Sequence, residues 1–193
     1  MKHPFRRKHL SPRLIPLYVF GGAAFVLARP SSIHLAIGLF LIAAGSLLRT
    51  WGAGHLVKTD QLTVSGPYAH LRHPLYAGTL LLGAGFVFVA GGRALPVGLL
   101  FGLPAFFLYY LPYKERIESA RLERRYGPDY ALYRASVRPL LPSLARWQPP
   151  LALASEAGRS WSVERFVDNS EHATILGVGV ALLLLSLRPV LLS

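Results

Sequence analysis

The chain has no cysteine among its 193 residues. That absence excludes a disulfide framework, thiolate metal ligands and a cysteine nucleophile together. Acidic residues are scarce as well, nine Asp and Glu against 21 Lys and Arg, for a formal net charge of +12. No H-E-x-x-H arrangement occurs, and His55, His70 and His73 lack a metal-ligand spacing, so no metal is expected. The Gly-Ala-Gly at 83–85 lies inside an apolar run, where small residues serve helix packing rather than a dinucleotide turn, and Gly98 and Gly102 read the same way. What the chain has in abundance is apolar surface: 52% of its residues are hydrophobic, and its mean hydropathy is positive. Lipid is the expected solvent.

Five apolar runs carry that character: Leu14 to Ala28, Ile33 to Leu48, Leu75 to Ala90, Ala94 to Leu111, and Ala173 to Leu187. A spanning helix needs about 20 residues, so several runs recruit flanking Tyr, Trp and Arg. The expectation is an all-α polytopic membrane protein, one domain over 1–193, with about five transmembrane helices plus cytoplasmic interfacial helices. The basic start continues into a retained first span rather than a cleaved signal. Short connections at Arg29 to Ser32 and Gly91 to Arg93 predict two tight helical hairpins.

With the N-terminus cytoplasmic, every Lys and Arg except Arg29, Arg93 and Arg188 falls on the inside, and so do all nine acids. The positive-inside rule selects this orientation and puts the C-terminus on the opposite side. It also accounts for the basic charge without nucleic acid. Two polar segments, 49–74 and 112–171, then face one another at one membrane surface. Within the second, Tyr113 to Tyr126 reads as an interfacial helix stopped by Gly127 and Pro128, followed by a short helix ending before Pro139. Residues 143–171 read as a linker plus surface helix, and 172–193 as an additional C-terminal transmembrane helix.

The stretch GPYAHLRHPLYAG, residues 66–78, opens the third run. Pro74 suits the first turn of a helix and biases His73 out of helical geometry, so backbone groups near His73 fall outside the helix ladder. They need water, a side chain or a ligand, and the edge of a flat heteroaromatic ring would satisfy them. The plainer reading is an ordinary turn with Arg72 as an interface anchor.

LVKTDQLTVSGPYAHLRHPLYAG, at 56–78, followed by ERIESARLERRYGPDYALYRASV, resembles the integral-membrane methyltransferases related to isoprenylcysteine carboxyl methyltransferase and phospholipid methyltransferases. The pair of motifs spans 51–142. The resemblance implies S-adenosyl-L-methionine as cofactor, with contacts from Asp60, Gln61, Leu62, Thr63, Tyr68, His73, Pro74, Leu75, Tyr76 and Glu118. His55 and Lys58 are further polar lining of that pocket. It implies a lipid-like or membrane-embedded acceptor, a lipophilic small molecule or prenylated chain drawn from the lipid bilayer. In the family a basic residue four positions before the glutamate serves the acceptor, which here is Lys114, with Arg116 as an alternative. The chain departs from the pattern at Ser119, where a second acid is common, and at Val137, Arg138 and Pro139; the last span lies outside the resemblance.

Methyl transfer to an ionised carboxylate needs alignment and desolvation more than acid–base help. Glu118 then attracts the cofactor's positive charge, and Arg72, Lys114 or Arg116 orients the acceptor. An amine acceptor must first lose a proton, for which His73 and Tyr76 are the candidates. Glu118 also has a bland reading as a helix-surface partner of Lys114 or Arg121. The rival functions are an NADPH-dependent membrane reductase of the sterol-reductase type, disfavoured by Thr79 after Gly78, and a non-enzymatic membrane scaffold.

Overall fold

The computed structural model describes residue 22, residues 25–57, 61–150, 153 and 156, and residues 158–191. The expected first span, Leu14 to Ala28, lies mostly outside the described residues. Helix α1 runs Ser32–His55, α2 Pro74–Ala90, α3 is the helical run Ala94–Ser136, kinked at Gly127, α4 is Val163–Asp168 and α5 Glu171–Leu191. No strand forms among the described residues. Three helices, α1, α3 and α5, are long and apolar enough to cross a membrane, and α2 is a shorter apolar helix. Their outward faces carry large apolar side chains, with Phe40 and Leu176 each 70% exposed and Leu108 80% exposed. Such surfaces are a liability in water and ordinary in lipid.

The closest packing joins α1 to α2, which are separated in sequence by the polar 56–73 segment rather than by a tight turn. Glycines make it possible. A Cβ on Gly45 would stand 2.8 Å from the Gly78 carbonyl oxygen, and one on Gly38 would stand 2.7 Å from that of Gly85. Gly38, Gly45 and Gly52 recur every seven residues, as do Gly78 and Gly85, so one seam persists along both helices. The expected packing role thus holds for Gly85, and for Gly98, which meets the Val87 side chain; beside Gly83 and Gly102 there is open space among the described residues.

The predicted turn between the third and fourth runs is present, with Gly91 at φ 56° and Gly92 at φ 50°. Arg29 donates its N–H to the Ala90 carbonyl at 2.8 Å there, and the Arg188 guanidinium caps the Phe25 and Val26 carbonyls nearby. The opposite end of the bundle is polar. There Arg49 of α1 forms a bidentate pair with Glu171 of α5 at 2.7 and 2.8 Å, and donates to Thr79 of α2 at 2.7 Å.

The linker returns to this end and closes α1. Trp161 Nε1 donates to the Thr50 carbonyl, Ser162 N–H and Arg165 Nε to that of Gly54, and Asn169 Nδ2 to those of Ala53 and Leu56. A helix ends with carbonyls that have no partner within it, and these are taken up by residues over 100 positions away.

In α3, Ala105–Tyr110 and Gly98–Gly102 are wider π-type turns, and Gly127 (φ 50°, ψ −123°) breaks the helix before Pro128. The break expected from Gly-Pro is therefore a sharp kink. It folds the second limb back so that the Tyr130 and Ser119 hydroxyls meet at 2.7 Å, whereas 11 residues of straight helix would separate them by about 16 Å.

Candidate functional site

The kink creates a cavity. The folded-back limb of α3 packs Tyr130, Tyr133 and Val137 against Leu62 and Val64. Between that layer and the turn before α2 lies a space of about 400 Å³. Of the residues singled out from sequence, Gln61, Leu62, Thr63, Tyr68, Arg72, His73 and Glu118 line it. They come from two segments more than 40 positions apart.

The polar wall is a linked set. Glu118 accepts from the Tyr76 phenol at 2.7 Å and stands 3.9 Å from His73 Nδ1. Glu115 accepts from Arg72 Nη2 at 3.0 Å and stands 4.0 Å from His73 Nε2. The His73 ring stacks on Tyr76 at 5.1 Å, and Tyr76 meets the edge of Tyr110. Burial pushes the His73 pKa below the ordinary histidine range, and Arg72 pushes the same way, against the opposing pull of Glu118 and Glu115. Burial raises the Tyr68 phenol well above its usual range.

Three nitrogens in this wall are buried without a hydrogen-bond partner: Arg72 Nε, Arg72 Nη1 and His73 Nε2. Orphaned donors on a guanidinium are costly, and at a cavity wall they mark a place for an acceptor.

Several expected residues stand elsewhere. His55 is not in the lining of this cavity; its Nδ1 stands 3.0 Å from Ser65 Oγ and its ring lies over Gly66, where φ 56° and the close ring both require glycine. Lys114 and Arg116 are exposed and do not line the cavity: the helical period turns Arg116 from the Glu118 face, and Lys114, one turn before Glu118 on that face, places its ammonium over the Tyr110 ring instead. Pro74 is the buried first residue of α2, and the Leu75 carbonyl is taken by Arg49 and Thr79. Tyr76 acts one step back from the cavity, through Glu118. Lys58 and Asp60 lie outside the described residues.

The backbone expectation is also corrected. Arg72 and His73 donate their N–H groups to the Arg138 and Pro139 carbonyls at 2.8 and 3.0 Å, and the His73 carbonyl accepts from Tyr76 and Ala77. His73, at φ −122° and ψ 62°, is out of the helix as Pro74 requires, but its amide pins the 137–147 segment. The side chains, not these amides, face the cavity.

Sequence reasoning missed Glu115, and it left Arg121, Leu122, Tyr126, Tyr130 and Tyr133 out of the lining. Tyr130 and Tyr133 share a face of the limb after the Gly127 kink, whereas Tyr126 belongs to the limb before it, so no single helical period linked the three. Glu115 carried no signal in a run of charges.

Compared with known proteins, the chain matches no family model, no curated protein and no solved structure. Fold and site together define, among the described residues, an all-helical protein with membrane-length apolar helices and, at one end of the bundle, a largely apolar cavity with one polar wall.

Proposed function

We propose that this cavity binds S-adenosyl-L-methionine and that the protein transfers its methyl group to a lipid-like acceptor, most readily a carboxylate. The observation that carries the reading is the meeting of Tyr68, His73 and Glu118 in one cavity, because those residues belong to the two motifs on which the resemblance rests. The fit is chemical as well. About 400 Å³ falls in the range of small-molecule sites, and its walls offer a carboxylate, tyrosine rings and a guanidinium with free donors.

The bound cofactor would supply an electrophilic methyl group. The chain's own residues do the rest. Glu118, oriented by Tyr76, attracts positive charge, and the tyrosine face from the folded-back limb of α3 excludes water. Arg72 is held at Nη2 by Glu115, so its Nε and Nη1 are available to a carboxylate; Lys114 and Arg116 do not line the cavity. In this reading the cavity end of the bundle is cytoplasmic, on the side of the Lys and Arg excess.

The test is incubation of purified protein with methyl-labelled S-adenosylmethionine and membrane extract, followed by base. Label released as volatile methanol identifies an ester. Label that survives base moves the acceptor to an amine. Binding of NADPH with no affinity for S-adenosylmethionine would replace the reading with a reductase, and affinity for neither would favour a scaffold.

A further inference from the structure

A second pocket adjoins the first through Arg159, which donates to the Gln61 side chain. It holds about 250 Å³ and is lined by Trp51, His55, Gly66, His70, Arg146, Gly158 and Arg159. The methyl-transfer reading does not use it. Two arginines and two histidines converge on it, and among the described residues Glu156 pairs with Arg159. His70 is aimed by its Nδ1, which donates to the Ser143 carbonyl at 2.8 Å, and His55 by Ser65. Gly66 and Gly158 bring backbone to the wall with no side chain to fill the space.

Two features identify the ligand class. The pocket is smaller than a drug-sized site, so it takes a compact group, and its arginine forks match tetrahedral oxyanions. It also opens beside Trp51, 44% exposed in the last turn of an apolar helix of membrane length. Exposed tryptophan at such a helix end marks the head-group level of a bilayer.

We infer that this pocket is a phosphate site that receives the head-group phosphate of an anionic phospholipid. Arg146 and Arg159 supply the charge-assisted hydrogen bonds, with Trp51 against the glycerol region. Arg159 also donates to the Gln61 side chain, and Gln61 lines the larger cavity. A lipid held here therefore fixes one wall of that cavity.

The test uses the full chain purified in a zwitterionic detergent at about 0.15 M salt, where long-range surface attraction is screened. Binding of short-chain phosphatidylglycerol is measured by thermal shift, with short-chain phosphatidylcholine and inorganic phosphate as separate arms. Phosphatidylglycerol should raise the unfolding midpoint, and Arg146→Gln should weaken its apparent affinity about tenfold. Arg124→Gln, which removes the same charge from the exposed face of α3, should leave it unchanged. Because His70→Asn removes a pocket wall without changing the arginines, it should also weaken binding, which keeps the test alive if Arg146→Gln fails to fold. Saturation by inorganic phosphate with no response to phosphatidylglycerol would overturn the lipid assignment. Equal loss in the Arg146 and Arg124 variants, or no loss in either, would overturn the site itself. None of these arms requires methyl transfer, so the outcome is separable from the proposed activity.

Discussion

Among the described residues the hydrogen bond that aims Glu118 comes from the Tyr76 phenol, in the first turn of α2 rather than in the helix that carries the glutamate. Tyr76→Phe removes that bond and leaves the ring stacked on His73. A charge-assisted hydrogen bond contributes roughly 1.5–3 kcal/mol, so S-adenosylmethionine affinity by calorimetry should fall about tenfold or more, while Lys114→Ala should leave it unchanged. Equal effects from both variants would put the cofactor elsewhere. His73 supplies a second prediction. Its pKa is lowered in the folded protein by burial, and by Arg72 against Glu118 and Glu115, so the unfolded chain binds the proton more readily. The sign follows: stability is full above about pH 6.5, the unfolded histidine value, and declines as pH falls below it. The thermal midpoint between pH 7.5 and 5.5 should drop less in His73→Gln than in the parent protein; an identical drop would assign the effect to other groups. At this scale the motif residues were legible because their chemistry is carried by residue type. Glu115 was not, since nothing local separates an acid that reaches Arg72 from the solvated charges around it.

At the scale of elements, the α1–α2 seam rests on glycines that let backbone meet backbone. Gly45→Leu forces a side chain into this seam, where even its Cβ would stand 2.8 Å from the Gly78 carbonyl oxygen; overpacking of this kind costs about 1–3 kcal/mol. The unfolding midpoint should fall, whereas Gly83→Ala, facing open space, should be neutral. Helix α5 is tied on by a different device. Glu171 is 2% exposed and grips Arg49 with both oxygens. Removing one partner of a buried pair strands the other charge, at a cost of about 3–5 kcal/mol. Glu171→Ala should therefore destabilise strongly and Glu171→Gln less, because the amide still accepts from Arg49. Hydropathy located α5, and the Gly-Pro break in α3 was equally plain. The partner of each helix was not, because a tight connection says which ends are near and nothing about which faces fit.

For the whole molecule, the lack of cysteine turns sidedness into a direct measurement. Ser31 and Ser136 are both exposed, at opposite ends of the bundle. With the cavity end cytoplasmic, Ser136→Cys should react with an impermeant maleimide only after cells are opened, and Ser31→Cys in intact cells. The reverse pattern would invert the proposed topology. By itself the sequence determined the apolar runs long enough to cross a membrane, the helical class, the uneven distribution of charge and the residue types at the cavity, since these follow from composition and local period. Tertiary structure alone decided which of those residues meet. A kink at Gly127 brings Tyr130 and Tyr133 over Glu118, a ring packed on Gly66 sends His55 to the second pocket, and the 138–139 carbonyls occupy the amides of Arg72 and His73. Each outcome depends on contacts between segments distant in the chain, where a shift of one helical position turns a side chain to a different neighbour.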